Sequence, residues 1–267
     1  MAFDFIKGKS PVAEVDIQST LHKNLGFTAI EQYKLLRTNL NFTIPEGVTC
    51  PVIGITSSNR GEGKSTTAIN LSYVLAERGS RVMLLDCDLR IPSIASKMGI
   101  PNTNGLTSLL MGKGAQIGDY QTDVLKNWFI IPGGDIPPNP SELLSSKRME
   151  AILNDLKSRF DYIIMDLPPV NLVSDALSAS PMITGMVLVI REHFTTKKEL
   201  ENCFRLLNLS NVNILGCVMN GATSDKTSYR YRKSKDYKYY HYHKKKKNPY
   251  ETGPEVQIQG TISGDEK

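Results

Sequence analysis

Two hydrophobic rhythms alternate along most of this chain: short, nearly continuous apolar runs, and segments in which apolar positions recur every three or four residues. From Phe27 to Phe42, FTAIEQYKLLRTNLNF places apolar side chains at 30, 33, 36 and 40. That spacing predicts one face of a helix, and Pro45 and Gly47 follow its end. PVIGITSS (51–58) reads as a strand, and TTAINLSYVLAERG (66–79) reads as a helix with Gly79 as its stop. RVMLLDCD (81–88), FDYIIMDLPP (160–169), GMVLVIRE (185–192) and NILGCVMN (213–220) bring the expected strands to five. SELLSSKRMEAILNDLKSR (141–159) and TKKELENCFRLLNLS (196–210) are the helices between them. Uninterrupted apolar strands separated by helices predict an α/β fold, a doubly wound, mostly parallel sheet covered on both faces.

The ends of the chain break the rhythm. Residues 1–26 are polar and aperiodic and, with the helix after them, are expected to form an arm and helix spanning 1–46. A globular domain is expected over 47–222. Beyond Gly221 aliphatic residues become sparse, and Tyr, Lys, Ser, Thr and Gly dominate. That composition predicts a disordered tail over 223–267.

In such sheets a ligand binds beyond the carboxyl ends of the strands, and three of the five strands end in chemistry. SNRGEGKST (58–66) stands between a strand and a helix. It fits the phosphate-binding loop GxxxxGK[ST] except that Ser58 occupies the first glycine position. Gly61 and Gly63 let backbone N–H groups wrap an anion at the positive end of the following helix. Lys64 would reach the β- and γ-phosphates, and Ser65 would offer a hydroxyl to Mg²⁺. The bland reading is a glycine-rich turn. Asp166 closes YIIMD, the position of a magnesium-orienting carboxylate in phosphate-loop enzymes, although a cap or loop aspartate is equally common there. LLDCDLR puts Asp86 and Asp88 on one face of an extended strand, with Arg90 just beyond. Two neighbouring anions call for a cation; one could hold the metal through water and the other could accept a proton from a hydroxyl. The alternative is a solvated loop edge.

Together these motifs resemble the bacterial P-loop tyrosine kinases, specifically the separate kinase subunit that accompanies a membrane protein in capsular or exopolysaccharide production. The resemblance rests on ITSSNRGEGKST, VMLLDCDLR and IIMDLPP, supported by EQYKLLRTN, NGLTSLLMGK and PPNPSELL. It covers about Phe27 to Asn220 and implies ATP and Mg²⁺ as cofactors. It carries nucleotide contacts over to Ser58, Gly61, Glu62, Gly63, Lys64, Ser65, Thr66, Arg90 and Asn220, the last near the adenine. Ser65, Asp88 and Asp166 then hold the metal. Asp86, Asp88 and Lys64 are the catalytic candidates, with Asp86 as candidate base. EQYKLLR resembles the family's EX2RX2R self-association motif through Glu31, Lys34 and Arg37. Lys34 replaces an arginine there and is a poorer bidentate partner; a plain amphipathic helix with i, i+3 charge pairing is the alternative. The partners implied are a transmembrane activator or polysaccharide co-polymerase, other copies of the chain in a ring, and a cognate tyrosine phosphatase. The alternative family is the deviant-Walker positioning ATPases; Asn59 stands where those carry a second lysine.

Charge adds one feature. The formal net charge is +5, yet between Asp225 and Lys247 ten Lys or Arg accompany only two Asp, a local +8 that leaves about −3 for the rest. The same stretch holds Tyr229, Tyr231, Tyr237, Tyr239, Tyr240 and Tyr242. By the resemblance these are phosphorylation sites presented to a neighbouring subunit. Interleaved aromatic and basic residues can also bind single-stranded nucleic acid, but such modules place their aromatics on a folded platform, and no nucleic-acid partner is expected. The four cysteines show no metal spacing and are read as buried or semi-buried thiols. Without a run of about 18 apolar residues or a signal-peptide core, the chain is expected to be cytoplasmic and drawn to the inner membrane face by its partner.

Overall fold

The structure, a computed structural model, describes residues 25–113 and 116–222. Its centre is a six-stranded, wholly parallel sheet in the order β3-β2-β4-β1-β5-β6. The strands are β1 (Val52–Ser57), β2 (Val82–Asp86), β3 (Trp128–Ile131), β4 (Tyr162–Asp166), β5 (Gly185–Arg191) and β6 (Ile214–Asn220). The longer helices are α1 (Phe27–Thr43), α2 (Lys64–Glu77), α6 (Lys147–Lys157) and α8 (Lys197–Leu209). Four single-turn helices supplement them: α3 (Ile94–Met98), α4 (Leu106–Leu110), α5 (Pro140–Leu144) and α7 (Asp175–Ala179).

Alternation along the strands divides the core into two. Val82, Leu84, Ile53, Ile55, Val187 and Val189 pack with α2 and with Leu40 of α1. Met83, Leu85, Ile163, Met165, Met186 and Leu188 pack on the other face with Met149, Leu153 and Leu156 of α6 and Cys203 and Leu207 of α8. With both faces covered, the strands have no need of a polar side, which is why their sequences run apolar without interruption.

Four expectations change. A sixth strand, β3, was hidden because WFII is only four residues long and sits in a stretch rich in Asn, Gly and Pro. Its Trp128 is fully buried, donates from Nε1 to Ser72 Oγ (3.0 Å) and meets Tyr73 edge to face. The helix expected over 141–159 is two helices. Ser146 between them is extended and caps α6, its hydroxyl accepting from the Met149 N–H (3.2 Å), the local competition that makes serine a helix boundary. β2 ends at Asp86, so Asp88 is a loop residue rather than the same-face neighbour that an extended strand would make it. Finally, β6 lies at the sheet edge and is only partly covered, with Met219 and Cys217 exposed; Cys50, Cys87 and Cys203 are buried. Among the described residues no helix is long and apolar enough to cross a membrane.

Candidate nucleotide site

Parallel pairing brings the carboxyl ends of β2, β4 and β1 side by side. Asp86 is the direct register partner of Asp166, and Asp166 in turn lies opposite Ile55 of β1. The loop 58–63 leaves β1 next to them and delivers Lys64 as the first residue of α2.

Gly61 (φ 81°) and Gly63 (φ 97°) are left-handed, which favours glycine. At position 63 a Cβ would also lie 1.9 Å from Asn220 Nδ2, so the Asn220 side chain would have to shift to admit it. Asn220, at the end of β6, donates that amide to the Glu62 carbonyl at 3.0 Å. Ser58 is fully buried, and its hydroxyl donates to Glu62 Oε1 at 2.7 Å; the Asn59 N–H donates to Glu62 Oε2 at 2.9 Å. A third donor, the Thr195 hydroxyl, reaches Glu62 Oε1 at 2.5 Å, and Arg191 donates to the Gly61 carbonyl at 3.0 Å. The serine in place of the first glycine thus braces the loop through Glu62. The Glu62 carboxylate is occupied inside the loop, so any contact it makes with a nucleotide runs through its backbone. Thr66 stands on the first turn of α2, its carbonyl accepting from Asn70.

Four charged side chains meet at this edge. Lys64 Nζ pairs with Asp88 Oδ2 at 2.8 Å and Asp166 Oδ1 at 3.4 Å. Asp86 turns one oxygen, Oδ2, onto the N–H groups of Ser93 and Ile94 at 2.9 Å each, at the start of α3. Asp88 Oδ1 accepts the Ile91 N–H at 3.2 Å. Ser65 lies between the groups: Lys64 Nζ is 3.4 Å away, Ser93 Oγ donates to it at 3.0 Å, and it is hydrogen-bonded to Asp166.

Burial dominates the electrostatics. It raises the Asp86 carboxyl to about 7, assisted by the charge of Asp166 and opposed by the Ile94 amide, Lys64 and the Ser93 amide. Burial also raises Asp166, against the pull of Lys64 and Ser65. Burial works against the charge on Lys64, but Asp166 and Asp88 outweigh it and hold the ammonium above its ordinary value. The result is a strand edge with more negative charge than one lysine offsets.

Two oxygens in this cluster, Asp86 Oδ1 and Asp166 Oδ2, are buried without a hydrogen-bond partner among the described residues. Unpartnered buried carboxylate oxygens are costly. Asp166 Oδ2, beside the Ser65 hydroxyl and with Asp88 across Lys64, belongs to a donor set that fits Mg²⁺, which takes one or two carboxylates and completes its shell with water and phosphate; Asp86 Oδ1 stays outside that set. No three His, Cys, Asp or Glu side chains among the described residues form a self-sufficient metal cage, and a site of this kind does not need one.

Arg90, two residues past Asp88, is half-exposed and bidentate to the fully buried Asp175: Nε to Oδ2 at 2.8 Å and Nη2 to Oδ1 at 3.0 Å. The residues that sequence reasoning missed, Thr195, Arg191, Ser93, Asp175 and Ser141, come from loops and element ends outside the three motifs, and all but Ser93 lie far along the chain from the residues they support. Only Ser141 left a trace, inside PPNPSELL.

The remaining candidates lie away from this edge. On α1, Lys34 pairs with Glu31 at 3.0 Å across one turn, both exposed. Arg37 turns inward and donates to the Val74 carbonyl of α2 at 2.6 Å. Tyr229, Tyr231, Tyr237, Tyr239, Tyr240 and Tyr242 lie outside the described residues.

A family model described as an AAA domain matches residues 50–209. Tyrosine-protein kinase YwqD of Bacillus subtilis (strain 168) is 39% identical over 198 residues, 74% of this chain and 83% of its own length. Tyrosine-protein kinase CpsD of Streptococcus agalactiae is 33% identical over 74% of this chain and 86% of its own. Tyrosine-protein kinase wzc of Salmonella typhi is 32% identical, but the match spans only 28% of that longer protein. Among solved structures, the chimerical protein CapA2B2 superposes with a TM-score of 0.68 at 31% identity, covering 73% of this chain and 85% of that one. The kinase domain of the Escherichia coli tyrosine kinase ETK gives 0.66 at 31%, with 74% and 78% covered. The septum site-determining protein MinD of Pyrococcus horikoshii, crystallised with Mg-ADP, is more distant, at 0.53 and 25% over 66% of this chain and 72% of that one.

Proposed function

The chain belongs to the family of bacterial tyrosine-protein kinases, and on that premise we propose that it transfers the γ-phosphoryl group of ATP to tyrosines of its own C-terminal tail, in trans, within a capsular or exopolysaccharide system. The observation that carries this reading is the convergence of Lys64, Asp86, Asp88 and Asp166 on one strand edge beside a glycine loop, in a chain that concentrates six tyrosines between residues 229 and 242.

The loop backbone of 59–63 and the amino end of α2 bind and orient the phosphates. Lys64, paired with Asp88 and Asp166, would exchange those carboxylates for phosphate oxygens. Ser65, Asp88 and Asp166 would hold Mg²⁺, which when bound supplies charge neutralisation for the phosphoryl group in transfer. Asp86 is the base: Oδ1 is free of hydrogen bonds, Oδ2 is fixed by the α3 amides, and a carboxyl raised to about 7 can accept a phenolic proton near neutral pH. The proton leaves the acceptor hydroxyl for Asp86 as the oxygen bonds to phosphorus and the bond to ADP breaks.

Each phosphotyrosine brings nearly two negative charges, so four would roughly cancel the +8 of residues 225–247. Phosphorylation then changes how the tail meets acidic surfaces, and a tyrosine phosphatase would reverse the change. The partner is a membrane protein whose cytoplasmic segment activates the site. CapA2B2 is a chimera by its own description, and wzc is far longer than this chain; both are compatible with a kinase working alongside a second module. Self-association through Glu31 and Lys34 uses exposed groups on α1, whereas Arg37 must first release Val74.

Incubation with γ-labelled ATP tests the reading. Protein-bound phosphotyrosine is expected for the wild type, and Lys64→Met is expected to lose it by roughly a hundredfold or more, the scale for removing a transition-state contact. Release of free phosphate without labelled protein, with and without the partner segment, would instead favour a positioning ATPase.

A further inference from the structure

Asp175 is a fully buried carboxylate that the chemistry above does not use. It opens α7, after β4, and takes three donors: Nε and Nη2 of Arg90 at 2.8 and 3.0 Å, and the hydroxyl of Ser141 in α5 at 2.5 Å. Ser141 Oγ also lies 3.2 Å from Ser174 Oγ. The connections after β2, β3 and β4 are therefore tied together through one carboxylate.

The pair is lopsided. The Asp175 side chain is 0% exposed and the Arg90 side chain 41%. An ion pair of two rim residues adds little to stability, and burying a carboxylate is costly unless its partners fix it well. Here the whole desolvation cost falls on Asp175, while the arginine keeps one side in solvent. Such a division does little for the core. It does hold a guanidinium in one orientation, and the fork of two parallel hydrogen bonds fixes its plane as well as its place.

The held group follows Asp88 by two residues and lies near enough to feel its charge. Asp88 grips Lys64 at 2.8 Å and closes the turn around Arg90 by accepting the Ile91 N–H. Asp175 and its fork occupy Nε and one Nη2 hydrogen, leaving the Nη1 edge of Arg90 among the donors still available. An anion bound beside Lys64 and Asp88 would meet a guanidinium whose plane is already fixed.

We propose that Asp175, steadied by Ser141, is a positioning residue for phosphoryl transfer: it fixes the Arg90 guanidinium so that its remaining N–H donors stabilise the anionic phosphoryl group as it moves from ATP to its acceptor. This rests on the kinase reading for the identity of the acceptor, but not for the role of Arg90. A donor aimed in advance acts on the charge that develops during transfer more than on bound ATP.

The test uses full-length chains carrying Asp175→Asn, Ser141→Ala, Arg90→Lys or both Arg90→Lys and Asp175→Asn. Three quantities are measured for each: affinity for a fluorescent ATP analogue, turnover as ADP formed with saturating ATP, and thermal midpoint. Counting ADP registers transfer to tyrosine or to water, so the role of Arg90 is read even if the acceptor proves not to be tyrosine. Phosphotyrosine on the wild type reports on the kinase reading separately. Asp175→Asn and Arg90→Lys should each lower turnover by about tenfold or more, with ATP affinity changed by less than about threefold. Ser141→Ala should fall between them and wild type, and the double variant should be no slower than the slower single, because both changes disable one device. Three results would overturn the proposal: Arg90→Lys with wild-type turnover, additive losses in the double variant, or losses that appear only as weakened ATP binding. Arg90 is half-exposed, so its lysine variant is expected to fold even where Asp175→Asn does not.

Discussion

Ionisation of Asp86 is opposed chiefly by burial, which makes the site's pH behaviour predictable. An unfolded aspartate titrates near pH ~4, whereas Asp86 in the fold is raised to about 7. Between those values the folded chain keeps a proton that the unfolded chain has released. The contribution of this group to stability is thus fully present below about pH 4 and is lost as pH rises through about 7. Asp86→Asn removes the titration while leaving an amide oxygen for the α3 N–H groups. The nucleotide-free variant should therefore gain in thermal midpoint relative to wild type, and gain more at pH 8 than at pH 5; an equal difference at both values would contradict the burial argument. At Gly63 the left-handed backbone and the 1.9 Å approach of Asn220 act together. Gly63→Ala should cost about 1–2 kcal/mol of stability from the backbone alone and should weaken ATP binding measurably, whereas an alanine that binds ATP normally would show that the loop can shift. Lys64, Asp86, Asp88 and Asp166 were legible in the sequence because a strand end followed by a charged residue is a local pattern. Asp175 and Thr195 were not, because their importance lies in partners 85 and 133 residues away.

Among the elements, those with long, uniform patterns were legible: β1, β2, β4, β5, α2 and α8 fall within a few residues of where their apolar rhythm puts them. β3 was lost because four residues give too few periods to separate a strand from a loop, and the break between α5 and α6 because Ser145 and Ser146 do not interrupt the apolar spacing. β6 shows the opposite effect. Its sequence reads like an inner strand, yet it has one neighbour, so its exposure follows from topology and not from composition. At α1 the same distinction gives a measurable contrast. Leu40 is 2% exposed within the core face against α2, and Phe42 on the same helix is 83% exposed. Leu40→Ala should destabilise by about 2–5 kcal/mol, read by denaturant unfolding, and Phe42→Ala by about 0.5 kcal/mol or less. Equal losses would mean that α1 is covered by something other than its own domain.

For the whole molecule, the sheet, the loop and the carboxylates describe half of a reaction, and the basic, tyrosine-rich segment supplies a candidate for the other half. Composition alone left that segment open to a nucleic-acid reading; its presence in the same chain as the Lys64 cluster makes it the proposed acceptor. The most direct test mixes two full-length chains in the presence of ATP and Mg²⁺. One carries Lys64→Met and keeps its tyrosines; the other keeps its site and has Tyr229, Tyr231, Tyr237, Tyr239, Tyr240 and Tyr242 replaced by Phe. The account predicts phosphotyrosine on the tail of the Lys64→Met chain, mapped by mass spectrometry, and none when that chain is incubated alone. A Lys64→Met tail that stays unphosphorylated in the mixture, while the wild-type chain alone does label its tail, would contradict transfer in trans. A wild-type tail with no phosphotyrosine would contradict the account at its centre.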